Sequence, residues 1–394
     1  MNPSLETLCQ LRTKKELLII GLMSGTSQDG VDIALCNIKG SGTETKASVI
    51  EFEAVEYPEE IKNTLKEISY RRENDLQLVA LMNAKLGHVY ASCINTFIDK
   101  FDVKRQQIDA IASHGQTIFH APAVFHEQEG WPDATLQIGD GDHIARQTGL
   151  IVISDFRQKE IAAGGEGAPL AGYAEYLLFG NSEQPLLLVN IGGISNCTVL
   201  NGNKQWLTTD LGPGNTLIDE AVQRYYPDKK YDDEGAIAAS GTVNQAILDE
   251  LLEHPFLKKK LPKSTGQESF NMDVVDKALR TRDERPAPAD LLATLTQCTV
   301  DVITDSLKEL IDIYELDNPE IVISGGGVYN NTLMESITNN MTDLQVSTSD
   351  AIGVEASAKE ALLFAVLANE TLSGGGFKGR DGHPFTMGKI SLPY

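Results

Sequence analysis

The chain lacks several features that mark particular classes of protein. No apolar run approaches the roughly 20 residues that a membrane-spanning helix needs, and residues 1–16 contain no apolar signal core. The five cysteines are widely spaced and include no Cys-x-x-Cys pair, which argues against a disulfide framework or a zinc site. Positive charge is also scarce, because 33 lysines and arginines face 56 acidic residues, a net charge of −23.

These absences limit the partners that the protein can have. An acidic surface repels the phosphate backbone of nucleic acids and the surface of anionic bilayers, so the sequence predicts no nucleic-acid partner and no membrane partner. The lack of a membrane-spanning run and of a signal core predicts a cytoplasmic location. Any anionic ligand must then be held by local donors. With 394 residues, of which 41% are hydrophobic, the chain is long enough to bury the cores of two domains.

The most informative stretch is a strand-turn-strand pattern at residues 17–38. Two runs of strand-forming residues flank a polar turn, Ser24–Gly30, which predicts a β-hairpin. Small residues let backbone N–H groups approach an anion closely, the three hydroxyls of the turn can donate to phosphate oxygens, and Asp29 or Asp32 could hold a cation. The pattern is consistent with a triphosphate site. An ordinary hairpin tip is the alternative, because Asp-Gly is a common turn dipeptide.

Two later stretches repeat this theme. Residues 185–200 again place a glycine-rich tip, with Gly192 and Gly193, between two apolar runs, which indicates a duplicated architecture with a nucleotide between its halves. Residues 320–331 then give a buried strand, a glycine triplet (Gly325–Gly327) and a helix start. Such a triplet allows adenine and ribose to lie against backbone without side chains in the way.

Three polar side chains at or just past the ends of predicted strands are candidate site residues. Polar groups just past the carboxyl end of a strand occupy the usual ligand edge of an α/β sheet, and His114 is expected there. Arg157 supplies a planar cation for a carboxylate or phosphate, and Asp210 could act as a general base on rigid backbone. The alternatives are a satisfied buried histidine, a surface contact between Asp155 and Arg157, and a turn or cap role for Asp210.

Helical spacing predicts α-helices at 59–70, 74–101 and 287–315. In the second of these, Leu81 and Leu86 are among the predicted core positions. The predicted divisions of the chain are a flexible N-terminal extension at 1–16, an N-terminal domain at 17–155 and a C-terminal domain at 156–394.

Seven motifs stand in an order that resembles one family of enzymes, the anhydro-N-acetylmuramic acid kinases, within the superfamily of acetate and sugar kinases, Hsp70 and actin. They are GLMSGTSQDGVD (Gly21–Asp32), IASHGQTIFH (Ile111–His120), SDFRQKEIAAGGEGAPL (Ser154–Leu170), NIGGISN (Asn190–Asn196), DLGPGN (Asp210–Asn215), PKSTGQESFN (Pro262–Asn271) and ISGGGVYN (Ile323–Asn330). The resemblance implies an α/β protein with a duplicated actin-like ATPase (ribonuclease H-like) fold, two domains and a central nucleotide cleft.

The resemblance also implies an activity. The family uses ATP and Mg²⁺ to convert 1,6-anhydro-N-acetylmuramic acid, a product of peptidoglycan turnover, into N-acetylmuramic acid 6-phosphate. The resemblance also suggests a homodimer. Water cleaves the anhydro bridge while the released O6 takes the γ-phosphoryl group.

The implied residues are Asp210 as the base for water; Gly25, Thr26, Ser27, Gln28, Asp29, Gly30, Val31 and Asp32 for the ATP phosphates, with Asp29 and Asp32 on the metal; Gly192 and Gly193 for a second phosphate contact; Gly325, Gly326 and Gly327 for adenosine; and His114, Arg157 and Glu360 for the sugar.

Two residues depart from the family pattern and leave alternatives. Glu160 stands where the family usually has aspartate and is expected to be tolerated, whereas Glu166 adds a carboxylate that would disfavour the substrate's lactyl carboxylate unless it points away. A levoglucosan-type kinase, whose sugar lacks that group, is therefore the alternative within this class. An Hsp70-like ATPase module is the alternative of another class, and its mark would be a peptide-binding domain after the nucleotide unit.

Overall fold

The structure is a computed structural model that describes all residues except 1, 26, 203–204, 267–268, 281–284 and 379–381. The strands are β1 (Glu16–Ser24), β2 (Gly30–Lys39), β3 (Lys46–Glu56), β4 (Ala110–Ala121), β5 (Ala134–Ile138), β6 (Val152–Ser154), β7 (Leu186–Ile191), β8 (Ile194–Asn201), β9 (Gln205–Pro213), β10 (Glu320–Ser324), β11 (Val346–Thr348), β12 (Phe377–Lys378), β13 (Pro384–Phe385) and β14 (Lys389–Ser391).

The helices stand between groups of these strands along the chain. They are α1 (Pro3–Leu11), α2 (Glu59–Ile68), α3 (Leu76–Lys100), α4 (Ala123–His126), α5 (Gly141–Thr148), α6 (Phe156–Ala162), α7 (Ala171–Phe179), α8 (Thr216–Tyr225), α9 (Ala236–Ser240), α10 (Gln245–Leu252), α11 (Met272–Arg280), α12 (Pro288–Ile313), α13 (Asn331–Asn340) and α14 (Lys359–Ser373). Short 3₁₀ turns connect several of them, including Gly326–Tyr329 after β10.

The chain forms two compact units, residues 1–178 with 360–394 (unit one) and residues 179–359 (unit two). This division differs from the predicted boundary at 155, because the C-terminal segment belongs to unit one. There β14 pairs antiparallel with β6, and β1 approaches α14 so closely that a Cβ on Gly21 would lie 2.0 Å from the carbonyl oxygen of Ala361. Within the predicted flexible extension, residues 3–11 form α1, which is capped by the Asn2 side chain.

Unit one is built on a seven-stranded mixed sheet with the order β14-β6-β4-β1-β2-β3, and β5 pairs with β4. Strands β1, β2 and β3 are antiparallel neighbours, whereas β4 and β6 run parallel to β1. Tyr90 and Phe97 of α3 pack with Ile20 and Ile111 of the sheet in one hydrophobic core. Leu86 is buried as predicted, but Leu81 is 60% exposed because it lies on the outer face of α3.

Unit two repeats that strand order with β11-β10-β7-β8-β9. Again three antiparallel strands are followed by two strands parallel to the first of them. The repeated topology confirms the predicted α/β class and its duplication. Helix α12 is buried on two sides, because Val300 and Ile303 join the core of the sheet while Leu291 and Leu295 join a second core with α8, α10 and α11.

Two strands are longer than predicted, and both corrections affect the candidate site. Strand β4 continues to Ala121 because residues 116–121 pair with β5, so Ser113–Thr117 lie inside the strand rather than beyond its end. Strand β9 continues to Pro213 because it pairs with β8 up to Ile194, so Asp210 also lies inside a strand. Pairing with a neighbouring strand therefore lengthens β4 and β9 beyond the ends that the local sequence predicts.

Candidate functional site

The first hairpin tip, which joins β1 to β2, is held by side chains from neighbouring strands. Ser24 Oγ lies 2.5 Å from Gln116 Oε1 and 2.6 Å from the Tyr57 hydroxyl. Gln116 Nε2 donates to the carbonyl of Gly25 (2.9 Å), and the Tyr57 N–H donates to the carbonyl of Asp29 (2.8 Å). Both ends of the tip are thus fixed by hydrogen bonds within unit one. The predicted contact Thr26 lies outside the described residues.

Acidic groups stand at the second half of this tip. Ser27 Oγ donates to Asp29 Oδ1 (2.7 Å), and Asp32 is half-buried on β2. Burial, together with the charges of Glu360 and Asp29, raises the pKa of Asp32 to about 7. Among the described residues no three potential ligands gather into a metal cluster. Asp29 and Asp32 nevertheless fit Mg²⁺, which usually takes one or two carboxylates together with phosphate oxygens and water.

The remaining members of the predicted loop contribute in different ways. The Val31 side chain is 1% exposed, so only its backbone is available to a ligand. Gly30 packs against β3, where a Cβ would lie 2.4 Å from the carbonyl oxygen of Val55. Gln28 has a φ of +58° and is buried, which gives the tip its compact shape.

His114 and Arg157 form a pair in unit one. Arg157 Nε donates to His114 Nε2 (3.1 Å), and Arg157 Nη1 donates to the carbonyl of Gly167 (2.7 Å). Burial and the adjacent guanidinium lower the pKa of His114 to about 3, so the imidazole is neutral and accepts from the arginine. Burial lowers the pKa of Arg157 to about 10, which leaves it cationic. A neutral histidine therefore orients a permanent cation.

Glu160, one of the two departures from the family pattern, has a structural role. Its Oε2 accepts from the N–H of Gly167 (2.6 Å), and its Oε1 accepts from the Tyr173 hydroxyl (3.2 Å). A Cβ on Gly165 would lie 1.6 Å from Glu160 Oε1, so the carboxylate fills the space that this glycine leaves. Glu160 thus shapes the loop whose carbonyl receives Arg157.

The other two acidic residues on this side are more accessible. Glu166 is partly exposed, and Glu360 is exposed in the first turn of α14. The charge of Glu360 adds to the burial that raises the pKa of Asp32, and it partly offsets the burial that lowers the pKa of Arg157. Unit one therefore places the predicted sugar-side residue Glu360 in the electrostatic field of the tip and of the His114–Arg157 pair.

In unit two, the tip between β7 and β8 consists of Gly192 and Gly193. Their carbonyls accept from the N–H groups of Asn215 (2.7 Å) and Gly214 (2.9 Å), respectively. A Cβ on Gly214 would lie 2.2 Å from the carbonyl oxygen of Gly192. The second tip is therefore joined by its backbone to the turn that precedes α8.

The glycine triplet of unit two follows β10, but its three members differ. Gly325 has a φ of +85°, and a Cβ there would lie 2.7 Å from Asn190 Oδ1; on Gly327 it would lie 2.4 Å from Ile191 Cγ2. Gly326 is exposed, and the nearest atom to a Cβ there would be 3.6 Å away. The first and third glycines are required for packing against β7, and the middle one presents bare backbone to solvent.

Asp210 is held on β9 by the segment at 263–265. Its N–H donates to the carbonyl of Lys263 (2.9 Å), and its Oδ2 accepts from the N–H of Thr265 (2.8 Å) and from Ser264 Oγ (3.3 Å). The Lys263 N–H in turn donates to Thr209 Oγ1 (2.9 Å). The carboxylate thus has a fixed orientation, as a general base requires.

Each unit therefore gathers its own subset of the predicted residues. Unit one holds the first tip, His114, Arg157 and Glu360; unit two holds the second tip, Asp210 and the glycine triplet. Sequence reasoning did not assign roles to the residues that support them. These are Gln116, Tyr57 and Glu160 in unit one, and Ser264, Thr265 and the buried Lys359, whose Nζ donates to Ser324 Oγ (2.9 Å), in unit two.

Comparison with known proteins gives consistent matches over the whole chain. A family model described as anhydro-N-acetylmuramic acid kinase matches residues 17–375. Proteins of the same name are 43% identical in Pseudoalteromonas atlantica, with 100% of each chain covered, and 39% identical in Caldanaerobacter subterraneus, with 98% of this chain and 100% of the relative covered. A third, from Bacillus thuringiensis, is 41% identical and covers 90% of this chain and 93% of its own.

Solved structures match less closely. The activator of the 2-hydroxyisocaproyl-CoA dehydratase from Clostridium difficile, with bound ADPNP, has a TM-score of 0.42 at 10% identity and covers 90% of this chain and 96% of its own. A ROK family glucokinase from Streptomyces griseus, in complex with glucose and AMPPNP, has a TM-score of 0.37 at 11% identity, with 89% and 98% covered. Among the described residues, every helix is too short or too polar to cross a membrane.

Proposed function

We propose, from the premise that this chain belongs to the anhydro-N-acetylmuramic acid kinase family, that it uses ATP to phosphorylate 1,6-anhydro-N-acetylmuramic acid with opening of the anhydro bridge. The product is N-acetylmuramic acid 6-phosphate. The single observation that carries the proposal is the fixed carboxylate of Asp210, which the motif resemblance matches to the family's catalytic aspartate and which is oriented by Thr265 and Ser264. Such a group can draw a proton from water before that water attacks carbon.

Unit one would bind the phosphates of ATP through residues 25–32. Support comes from the small residues of the tip, its hydroxyls and its fixed backbone, since fixed N–H groups at a turn form an anion-binding concavity. In unit two, Gly192 and Gly193 would contribute the second phosphate contact. Bare backbone at Gly326 would accept adenosine, while Gly325 and Gly327 keep the turn in place.

Mg²⁺ would be held by Asp29 and Asp32. Two observations favour these residues. The Ser27 hydroxyl orients Asp29. Burial, together with the charges of Glu360 and Asp29, raises the pKa of Asp32, and a cation would relieve the repulsion among these carboxylates. When bound, Mg²⁺ supplies charge neutralisation for the phosphates of the nucleotide.

The sugar would be held by His114, Arg157 and Glu360. Arg157 has the planar donor geometry that suits a carboxylate, and the substrate of this family carries one on its lactyl group. The neutral imidazole of His114 fixes the guanidinium without competing for its charge. Because Glu160 is engaged by Gly167 and Tyr173, that departure from the family pattern does not oppose binding of an anionic sugar.

The reaction can be written with the groups of this chain. Asp210 takes a proton from water, the water oxygen bonds to the anomeric carbon, and the bond between that carbon and O6 breaks. The electron pair released on O6 then attacks the γ-phosphorus, and ADP leaves. Positioning and charge stabilisation carry most of phosphoryl transfer itself, so the protein base is best used on the water.

Product analysis tests this proposal directly. Incubation with ATP, Mg²⁺ and 1,6-anhydro-N-acetylmuramic acid should yield a sugar whose mass has increased by one water and one phosphoryl group. Levoglucosan in a parallel reaction should be a poor substrate. A clear preference for levoglucosan would overturn the substrate, and ADP with inorganic phosphate but no sugar phosphate would overturn the kinase reaction.

The proposal extends to the setting of the enzyme. A substrate released by peptidoglycan turnover places the reaction in cell-wall recycling in the cytoplasm, and the family resemblance suggests a homodimer. Light scattering during size-exclusion chromatography should give twice the mass of the chain, and the mass of a monomer at micromolar concentration would contradict that part.

A further inference from the structure

A buried polar chain lies beneath the first hairpin tip. Gln116 is 0% exposed, Ser24 2%, Tyr57 3% and Tyr90 1%. Ser24 Oγ is within hydrogen-bond distance of both Gln116 Oε1 and the Tyr57 hydroxyl, and the Tyr57 hydroxyl donates to the Tyr90 hydroxyl (3.0 Å). Burying polar groups costs free energy unless each finds a partner. Four of them together at one loop therefore indicate a specific role.

A β-bulge brings Gln116 to the tip. In the pairing of β1 with β4, Leu22 faces Ser113 but Ser24 faces Gln116, so one extra residue is accommodated in β4. Gly115 within this bulge has a φ of +79°, and a Cβ there would lie 2.8 Å from the carbonyl oxygen of Ile138. Bulges are frequent beside active sites, where they redirect a side chain. Here the redirected side chain is that of Gln116.

We propose that Gln116 is a positioning residue for the nucleotide, fixing the phosphate-binding tip through two hydrogen bonds from one side-chain amide. This inference rests on the proposed function, since it takes the tip to be the phosphate site. The amide oxygen engages Ser24, and the amide nitrogen donates to the carbonyl of Gly25. The tip is therefore ordered before a ligand arrives, and a preformed site loses less conformational entropy on binding.

The tyrosines complete the support from below. Burial raises the pKa of Tyr90 to about 12 and holds that of Tyr57 well above its usual value, so both hydroxyls stay protonated at physiological pH. The Tyr57 N–H also holds the carbonyl of Asp29 at the far end of the tip. Tyr57 thus touches both ends of the loop, but Ser24 is the one loop residue that its hydroxyl contacts, whereas the Gln116 amide contacts Ser24 and Gly25.

The test compares Gln116→Met with Gln137→Met. Methionine keeps an unbranched side chain of similar length and removes both hydrogen bonds without adding charge. Gln137 is a matched control on the adjacent strand β5, where its amide donates to the hydroxyls of Thr117 and Thr135 rather than to the tip. KM for ATP, KM for the anhydro sugar, kcat and the melting temperature are measured for both variants.

Gln116→Met should raise KM for ATP about tenfold, since both hydrogen bonds that order the preformed site would be lost. KM for the sugar should change less than about twofold, as expected if ordering of the phosphate site alone is lost. Gln137→Met should leave both KM values near those of wild type, even where its melting temperature falls equally. A purely structural role for Gln116 would lower the melting temperature without this difference between the two KM values.

Tyr57→Phe keeps the test valid if Gln116→Met does not fold. It removes the hydroxyl contacts to Ser24 and Tyr90 but keeps the N–H that holds Asp29, and we expect a smaller rise in KM for ATP, about threefold, again without an effect on KM for the sugar. Unchanged KM for ATP in the folded variants would overturn the inference while wild type still phosphorylates the sugar. Failure of wild type to make a sugar phosphate would instead overturn the proposed function, so the two failures are distinguishable.

Discussion

The two hairpin tips have the same place in their sheets but are stabilised differently. The first tip, Ser24–Gly30, is fixed by the side chains of Gln116 and Tyr57. The second, Gly192 and Gly193, is fixed by backbone N–H groups of Gly214 and Asn215. Duplication has therefore preserved strand order while the means of holding the tip changed.

This difference determines how each tip should respond to substitution. A Cβ on Gly25 would lie 3.8 Å from Ser27 Oγ, an ordinary van der Waals distance, whereas a Cβ on Gly214 would lie 2.2 Å from a backbone oxygen. Side chains can move to relieve a contact more readily than packed backbone can. The first tip should consequently tolerate an added side chain, whereas the stability of the second should depend on having no side chain at the packed glycine.

The largest expected effect comes from Asp210, a residue that lies in neither tip. Asp210→Asn removes the proposed base and its charge while keeping the shape of the side chain, so turnover should fall about a thousandfold. Because Asp210 belongs to neither tip, the dissociation constant for ATP, measured by calorimetry, should stay near the wild-type value. Ser264→Ala is the control, since it removes only one donor to Asp210 and should cost far less. Retained turnover in Asp210→Asn would exclude this residue as the base.

The comparison of the tips is tested most directly by Gly214→Ala and Gly25→Ala. The first should lower the free energy of unfolding by about 2 kcal/mol or more, because its methyl group overlaps the carbonyl of Gly192. The second should leave stability near that of wild type and raise KM for ATP, because a methyl group would obstruct close approach of phosphate to the backbone. Urea denaturation and steady-state kinetics measure the two quantities. Equal loss of stability in both variants would remove the distinction between the tips.

A matched pair within the glycine triplet extends the same reasoning to unit two. Gly327→Ala should destabilise the protein, since its Cβ would lie 2.4 Å from the Ile191 side chain. Gly326→Ala meets no such contact, so it should fold normally and raise KM for ATP several-fold if adenosine lies against this backbone. Normal stability and an unchanged KM in Gly326→Ala would exclude contact of adenosine at that position.

Much of this organisation could be predicted from the sequence because its signals are local. Runs of apolar, strand-forming residues around glycine-containing turns predicted both hairpins, and the strand, triplet and helix at 320–331 are confirmed. The resemblance to the anhydro-N-acetylmuramic acid kinases, carried by seven motifs, is confirmed by the family model and by full-length relatives. The assignments of individual ligand contacts remain predictions.

What could not be predicted depends on contacts between distant parts of the chain. Gln116 is separated from Ser24 by 92 positions, and Thr265 from Asp210 by 55, so no local pattern identifies either as a support. The return of the C-terminal segment to unit one likewise follows from pairing of β14 with β6. Helix α6, which carries Arg157, was missed because its seven residues are too few for a periodic pattern.

The smallest expected effect concerns pH, and it should have opposite signs at two buried residues, Asp219 in unit two and His114 in unit one. In unit two, burial and the charge of Asp232 raise the pKa of Asp219 from 3.8 to about 7. The folded state therefore retains a proton that the unfolded state has released, and this residue's contribution to the free energy of unfolding falls as pH rises from about 4 to 7. In unit one, the pKa of His114 is lowered from 6.5 to about 3. There the unfolded state binds the extra proton, so stability is lost as pH falls below about 6.5.

Two substitutions isolate these contributions. The stability of Asp219→Asn relative to wild type should increase as pH rises from about 4 to 7, because the variant has no carboxylate to ionise while buried. The relative stability of His114→Gln should increase as pH falls from about 6.5 to 4.5, because glutamine takes up no proton on unfolding. Hydrogen exchange, measured on peptides from each unit, reports the stability of each unit separately, because a two-unit chain need not unfold in one step. If the relative stabilities of the two variants changed with pH in the same direction, the surroundings of Asp219 or of His114 would not shift the pKa of that residue in the direction that its burial indicates.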